Sequence, residues 1–110
     1  MSMTREDMAR LMEQIFDNEI NKTREAGQKE YARDYDNAFA NFERIGNYLN
    51  LPPAKVLMVY MMKHMDGIAA WVDGHQSQRE DIRGRLTDVI VYAFLLWGMV
   101  EDGEGYPNGE

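Results

Sequence analysis

Asp88 stands in a stretch whose next charge is Glu101: Leu86-Thr87-Asp88-Val89-Ile90-Val91-Tyr92-Ala93-Phe94-Leu95-Leu96-Trp97-Gly98-Met99-Val100. An ionised carboxylate among apolar side chains needs a partner, because burying it alone costs more than a fold tolerates. On a helix, Asp81, Arg85, Asp88 and Tyr92 form a polar stripe, with Val91 and Leu95 on the far side of Asp88, so the carboxylate is expected to be partly buried. Its candidate partners are Lys63, His64 and Arg85. His64 projects from the middle of a face that also holds Leu57, Met61, Ile68 and Trp71, with Lys63 and Asp66 at its edges. A buried imidazole needs a hydrogen-bonding partner as well. A carboxylate beside a basic group in a semi-apolar cleft is the form taken by a perturbed, functional acid. It is also the form of a structural pair, and both readings stand at this point.

A second concentration of polar groups runs through Glu30, Asp34, Asp36, Asn37, Asn41 and Glu43. Asn37 and Asn41 are four residues apart, which on a helix places both on one face, within reach of one ligand. The plainer reading makes Asp36 a helix cap and leaves Glu43 and Arg44 facing solvent. If Glu30 or Asp34 meets Asp66 and Asp88, an oxygen-rich magnesium site results. The chain has no cysteine, so any metal would depend on carboxylates and imidazoles, which favours hard ions.

These residues have to be positioned by helices. Thr4 and Asp7 mark a helix start, and Met8, Leu11, Met12, Ile15, Phe16 and Ile20 recur at helical spacing up to Gly27. Residues 28–36 read as a loop leading to a capping Asp36. A second helix carries Phe39, Phe42, Ile45 and Leu49, and Asn50-Leu51-Pro52-Pro53 separates it from a third. The third is expected from about Pro53 to Val72, with Leu57, Met61, Ile68, Trp71 and Val72 inward and Gly74 as its stop. Ser77-Gln78-Arg79-Glu80 reads as a capping box opening a fourth helix that ends near Glu101. Its inward face is expected to be Ile82, Leu86, Val89, Ile90, Ala93, Trp97 and Val100. The pattern therefore predicts an all-α, compact four-helix bundle over residues 1–102 with a flexible acidic tail at 103–110.

With 110 residues the chain supports one domain and one core. Nine methionines, several of them in MVYMMKHM, suggest a plastic core. Met58, Met62 and Met65 do not all share the inward face, which points to a third helix covered on more than one side and to a homo-oligomer. No run approaches the roughly 20 apolar residues of a bilayer-spanning helix, and the N-terminus lacks an apolar signal region, so a cytoplasmic protein without a membrane partner is expected. The formal net charge of −7 argues against broad nucleic-acid binding, which relies on cations neutralising phosphates.

The segments Tyr35-Asp36-Asn37-Ala38-Phe39-Ala40-Asn41-Phe42-Glu43-Arg44-Ile45, Val59 to Asp66 with its Lys63, and Leu86 to Ala93 with its Asp88 and Tyr92 resemble small phage and prophage proteins of the nucleotide-modification-associated domain family. The resemblance covers roughly residues 28 to 100. More distantly, the chain looks like the all-α nucleotide pyrophosphatases of the MazG and dimeric dUTPase kind, which place acidic pairs on two helices around magnesium. The resemblance implies a nucleotide ligand, with Asp88 matching the aspartate of the last helix and Lys63 and Asn41 the recurring polar positions. It also implies magnesium-assisted hydrolysis of a nucleoside triphosphate, with Asp88 and one or more of Glu30, Asp34 and Asp66 holding the ion and Lys63 contacting phosphate. Asn37, Asn41, His64, Arg85 and Tyr92 complete the expected ligand contacts. The pyrophosphatases carry Glu-x-x-Glu and Glu-x-x-Asp, whereas Arg85 stands three residues before Asp88 here and the second helix has no Glu-x-x-Glu. Two non-catalytic alternatives follow: a nucleotide sponge, and an acidic protein that blocks a host defence or nucleic-acid-binding protein.

Overall fold

The computed structural model describes residues 2–32, 37–76 and 81–103, and among them every regular element is helical. The N-terminal rod is continuous from residue 5 to residue 32. It comprises α1 (Arg5–Gln14), a π-helical turn (Ile15–Ile20), α2 (Asn21–Gly27) and a second π-helical turn (Gln28–Ala32). Three further helices follow: α3 (Ala40–Leu49), α4 (Pro53–Val72) and α5 (Ile82–Asp102). With the rod counted as one, this is the expected four-helix, all-α arrangement. Among the described residues, no helix is long and apolar enough to cross a membrane.

The rod starts as expected, with Thr4 as N-cap and a reciprocal capping box with Asp7. Hydrogen bonds from the Thr4 side chain, the Thr4 backbone N–H and Arg10 hold the Asp7 carboxyl below its ordinary value of 3.8. The loop expected from residue 28 is a helical turn instead. Lys29 and Glu30 are strong helix formers, and Gln28 donates from Nε2 to the Ala38 carbonyl at 3.2 Å, fastening the end of the rod to the start of α3. Asp36 lies outside the described residues. Asn37 precedes α3 and accepts from the Phe39 backbone N–H at 3.0 Å, so Asn37 and Asn41 do not share a helical face.

α3 ends at Asn50 in the left-handed conformation (φ 59°), and the Leu51 N–H returns to the Gly46 carbonyl at 2.8 Å. A Cβ on Gly46 would lie 2.5 Å from the Leu51 carbonyl oxygen, so only glycine lets the chain reverse this closely. Pro52 and Pro53 then open α4. α5 starts at Ile82, where the Asp81 side chain accepts from the Arg83 N–H at 2.8 Å. The capping box read at Ser77–Glu80 lies outside the described residues, as does the tail from 104 onward.

α4 and α5 are antiparallel and form the most extensive helix pair. The core gathers Phe42, Ala54, Val56, Leu57 and Met99, with Phe39, Ile45, Tyr60, Met61, Tyr92, Leu95 and Leu96 packed against it. Two expected inward faces are corrected by this packing. On α4, Leu57 is fully buried and Met61 half-buried, but Trp71 and Val72 are exposed, because they lie beyond the part of the helix that α3 covers. On α5 the inward face is Thr87, Asp88, Val91, Tyr92, Leu95 and Met99, whereas Leu86, Ile90, Ala93 and Trp97 face outward. α5 carries two apolar seams, and the one that also holds the polar groups faces α4.

Two tests follow. Gly46→Ala should destabilise the fold by about 1–3 kcal/mol in a denaturant titration, because the new methyl meets backbone rather than a movable side chain. The capping box depends on ionised Asp7, whose folded value is depressed. Its contribution is therefore complete above the ordinary value of 3.8 and is lost as pH falls through the lowered one, which the amide shifts of residues 4–8 should follow in an NMR acid titration.

Candidate functional site

Among the described residues, Asp88 stands beside His64: Nε2 lies 3.6 Å from Oδ2, with the two side chains 16% and 30% exposed. The helix pairing produces this contact. Along the antiparallel seam, Tyr60 meets Tyr92, His64 meets Asp88, and Gly67 meets Arg85. Arg85 does not reach into the cleft. Its guanidinium lies on the α4 backbone at Gly67, where a Cβ would stand 2.5 Å from Nη1. The other ring nitrogen of His64, Nδ1, is buried without a hydrogen-bond partner among the described residues. An orphaned buried nitrogen carries a cost of about 1–3 kcal/mol, which a ligand donor, acceptor or water would remove.

His64 and Asp88 open into a cleft of about 660 Å³ between the N-terminal rod, α3, α4 and α5. That is the size of a small-molecule site. One wall is aromatic. Phe42 and Tyr60 have ring centroids 5.8 Å apart, Tyr60 and Tyr92 6.3 Å, and Tyr92 and His64 5.7 Å, giving a ladder of rings from the core to the polar pair. The opposite wall comes from Thr23, Arg24, Gln28 and Glu30 of the rod, and Arg44 and Ile45 of α3 complete the rim. Arg24, Arg44 and Lys63 all line the cleft, against the two carboxylates Glu30 and Asp88. In a chain of net charge −7 this lining leans cationic. Lys63 is exposed and has no ion pair among the described residues, whereas Arg24 reaches its neighbour Glu25 at 3.7 Å.

Of the residues singled out by sequence, Glu30, Asn41, Lys63, His64, Asp88 and Tyr92 therefore line one cleft. Asn41 is buried beside the core residue Phe42. Asn37 is not part of the lining, since its Nδ2 donates to Glu43 at 2.6 Å. Asp66 is exposed on α4 outside the cleft, and Asp34 lies outside the described residues. No three His, Asp or Glu side chains among the described residues converge as metal ligands. Sequence reasoning missed Tyr60, Arg24 and the cleft role of Arg44. Tyr60 lies four residues before His64 and was legible as its helical neighbour; Arg24 entered only because the rod folds against α3 and α5. No protein-family model, curated protein or solved structure matches the chain.

The His64–Asp88 contact is directly testable. Folding free energies of His64→Gln, Asp88→Asn and the double variant should show a coupling of about 0.5–1.5 kcal/mol, the range for partly exposed neighbours. Strict additivity would mean that the two side chains are adjacent without interacting.

Proposed function

We propose that this cleft binds a small anionic ligand with a planar ring system, of which a nucleotide is the leading class. The observation that carries this reading is the meeting, in one cavity, of an aromatic ladder with the cations Lys63, Arg24 and Arg44. Rings offer a stacking face worth about 1–3 kcal/mol per base, and the cations meet phosphate oxygens through charge-assisted hydrogen bonds. The amide of Asn41 supplies directional contacts for a heteroaromatic edge. The short motifs that resemble the nucleotide-modification-associated proteins contribute Asn41, Lys63, Asp88 and Tyr92 to the same lining, which supports the same ligand class.

Binding is the primary reading, and hydrolysis is its enzymatic extension. Among the described residues, Glu30 and Asp88 are the carboxylates expected at a magnesium site that line the cleft, and Asp88 faces His64. A nucleotide-sequestering protein needs nothing more than this lining. A phosphate-cleaving enzyme would need a fuller set of oxygen donors than the described residues assemble.

The test is isothermal titration of the full chain with nucleoside mono-, di- and triphosphates and with inorganic triphosphate, each with and without magnesium, followed by product analysis. Saturable binding of nucleotides, weakened about 10- to 100-fold by Lys63→Ala and by Tyr92→Ala, is expected. Binding of inorganic triphosphate with equal affinity would remove the aromatic wall from recognition. No binding of any nucleotide would overturn the reading. Product formation that depends on magnesium would move the protein from sequestration to catalysis.

A further inference from the structure

The side chains that line the cleft divide it into an outer and an inner part. Arg24, Glu30, Arg44 and Lys63 are exposed, whereas Asn41, Phe42 and Val91 are only 9%, 2% and 8% exposed. Charge therefore collects at the mouth and apolar surface at the inner end. Asn41 departs from that division, as a polar side chain among the buried ones.

Two polar residues are buried among the described residues, Thr87 and Asn41. The Thr87 hydroxyl donates to the Arg83 carbonyl at 2.8 Å, the ordinary way to satisfy such a group inside a helix. The Asn41 side-chain amide makes no hydrogen bond to any described residue. Buried polar groups are nearly always paired, and an apolar side chain of the same size would pack at this position at less cost. An amide held in this state is a selector, because a ligand that fails to pair with it leaves a desolvated donor and acceptor behind. Arg44, three residues on along α3, lines the same cleft at its exposed edge, so one face of this helix offers an amide inside and a cation outside.

We propose that Asn41 is the specificity-determining residue of the cleft and that it selects adenine nucleotides, seated base-inward with their phosphates at Arg24, Arg44 and Lys63. The proposal rests on the nucleotide reading of the cleft and goes beyond it by naming the base and its orientation. A primary amide presents one acceptor beside one donor. Adenine answers with a donor beside an acceptor on both polar edges, N6–H with N7 and N6–H with N1, so it pairs with Asn41 whichever edge it turns inward. Guanine offers two acceptors, O6 and N7, on the first of these edges. Turned to the other, it would bring its 2-amino group to an inner end lined by Phe42, Val91 and Leu95, whose side chains supply no acceptor. The single ring of a pyrimidine covers less of the aromatic wall formed by Tyr60 and Tyr92.

The test is isothermal titration of the full chain with the 5′-monophosphates of adenosine, purine riboside, inosine, guanosine and cytidine. Adenosine monophosphate is expected to bind about 10- to 100-fold more tightly than the purine riboside and inosine compounds, which lack the 6-amino group. Asn41→Leu, close in size, should keep the wild-type Tm and bind all five with nearly equal affinity. Asn41→Asp keeps the shape but offers two acceptors, so it should move the preference to guanosine, whose N1–H and 2-amino group are adjacent donors. The wild-type series and Asn41→Asp decide the matter even if Asn41→Leu fails to fold. A wild type that binds the five alike, or prefers another base, overturns the role of Asn41 and leaves the nucleotide reading standing. Weakening of all five by one factor in both variants assigns the amide to packing and overturns it too. Binding of none of them overturns the nucleotide reading and this proposal together.

Discussion

A helix that is apolar on two sides can bury only one of them against a single neighbour. α4 and α5 are both of this kind. On α4, Leu57 and Met61 face the core while Met58, Met62 and Met65 face out; on α5, Val91, Leu95 and Met99 face in while Leu86, Ile90 and Trp97 face out. Hydrophobic burial alone does not choose between two such seams. The polar groups do. Only one orientation of α5 gives Asp88 the His64 imidazole and lays Arg85 on the bare backbone at Gly67. The opposite orientation would bury Trp97 and turn Asp88 to solvent, leaving His64 in the seam without a carboxylate. The contact is modest in strength, and it is one that the opposite orientation would not make.

The elements were legible in the sequence and the faces were not. Thr4 and Asp7, Asn50 with its following prolines, and the apolar spacing of α4 and α5 located helices at places the structure reproduces. The end of the first helix was misplaced because Gly27 and the charged segment after it looked like a break. The Gln28 contact to Ala38, which is tertiary, carries the helix on to Ala32. The inward side of α5 was misassigned for a different reason. Apolar spacing points to the more apolar of its two seams as the core, a sound rule for a helix with one polar face and an unsound one for a helix apolar nearly all round.

The candidate site was partly legible for the same underlying reason. Lys63, His64, Asp88, Tyr92, Asn41 and Glu30 were recognisable as polar residues that an apolar surrounding would have to account for, and the fold brings them to one cavity. Asn37 failed that test because its amide is spent on Glu43 and its carbonyl oxygen on the Phe39 N–H. Asp66 faces solvent and needs no partner. The aromatic wall was the part sequence could not deliver. Phe42, Tyr60 and Tyr92 sit on three different helices, and their alignment is a property of the packing.

The ladder and the polar pair also explain why a cleft exists in so small a domain. Phe42, Leu57 and Met99 fill the space between α3, α4 and α5 near one end of the seam. Towards the other end the residues facing inward are Tyr60, Tyr92, His64 and Asp88, whose polar atoms need partners or water and cannot be sealed by aliphatic side chains. The N-terminal rod closes over this region with Thr23, Arg24, Gln28 and Glu30, groups that border a cavity without filling it. The polar residues that orient α5 on α4 thus also keep one end of the seam from packing shut, so the open cleft is a consequence of how the bundle chooses its register.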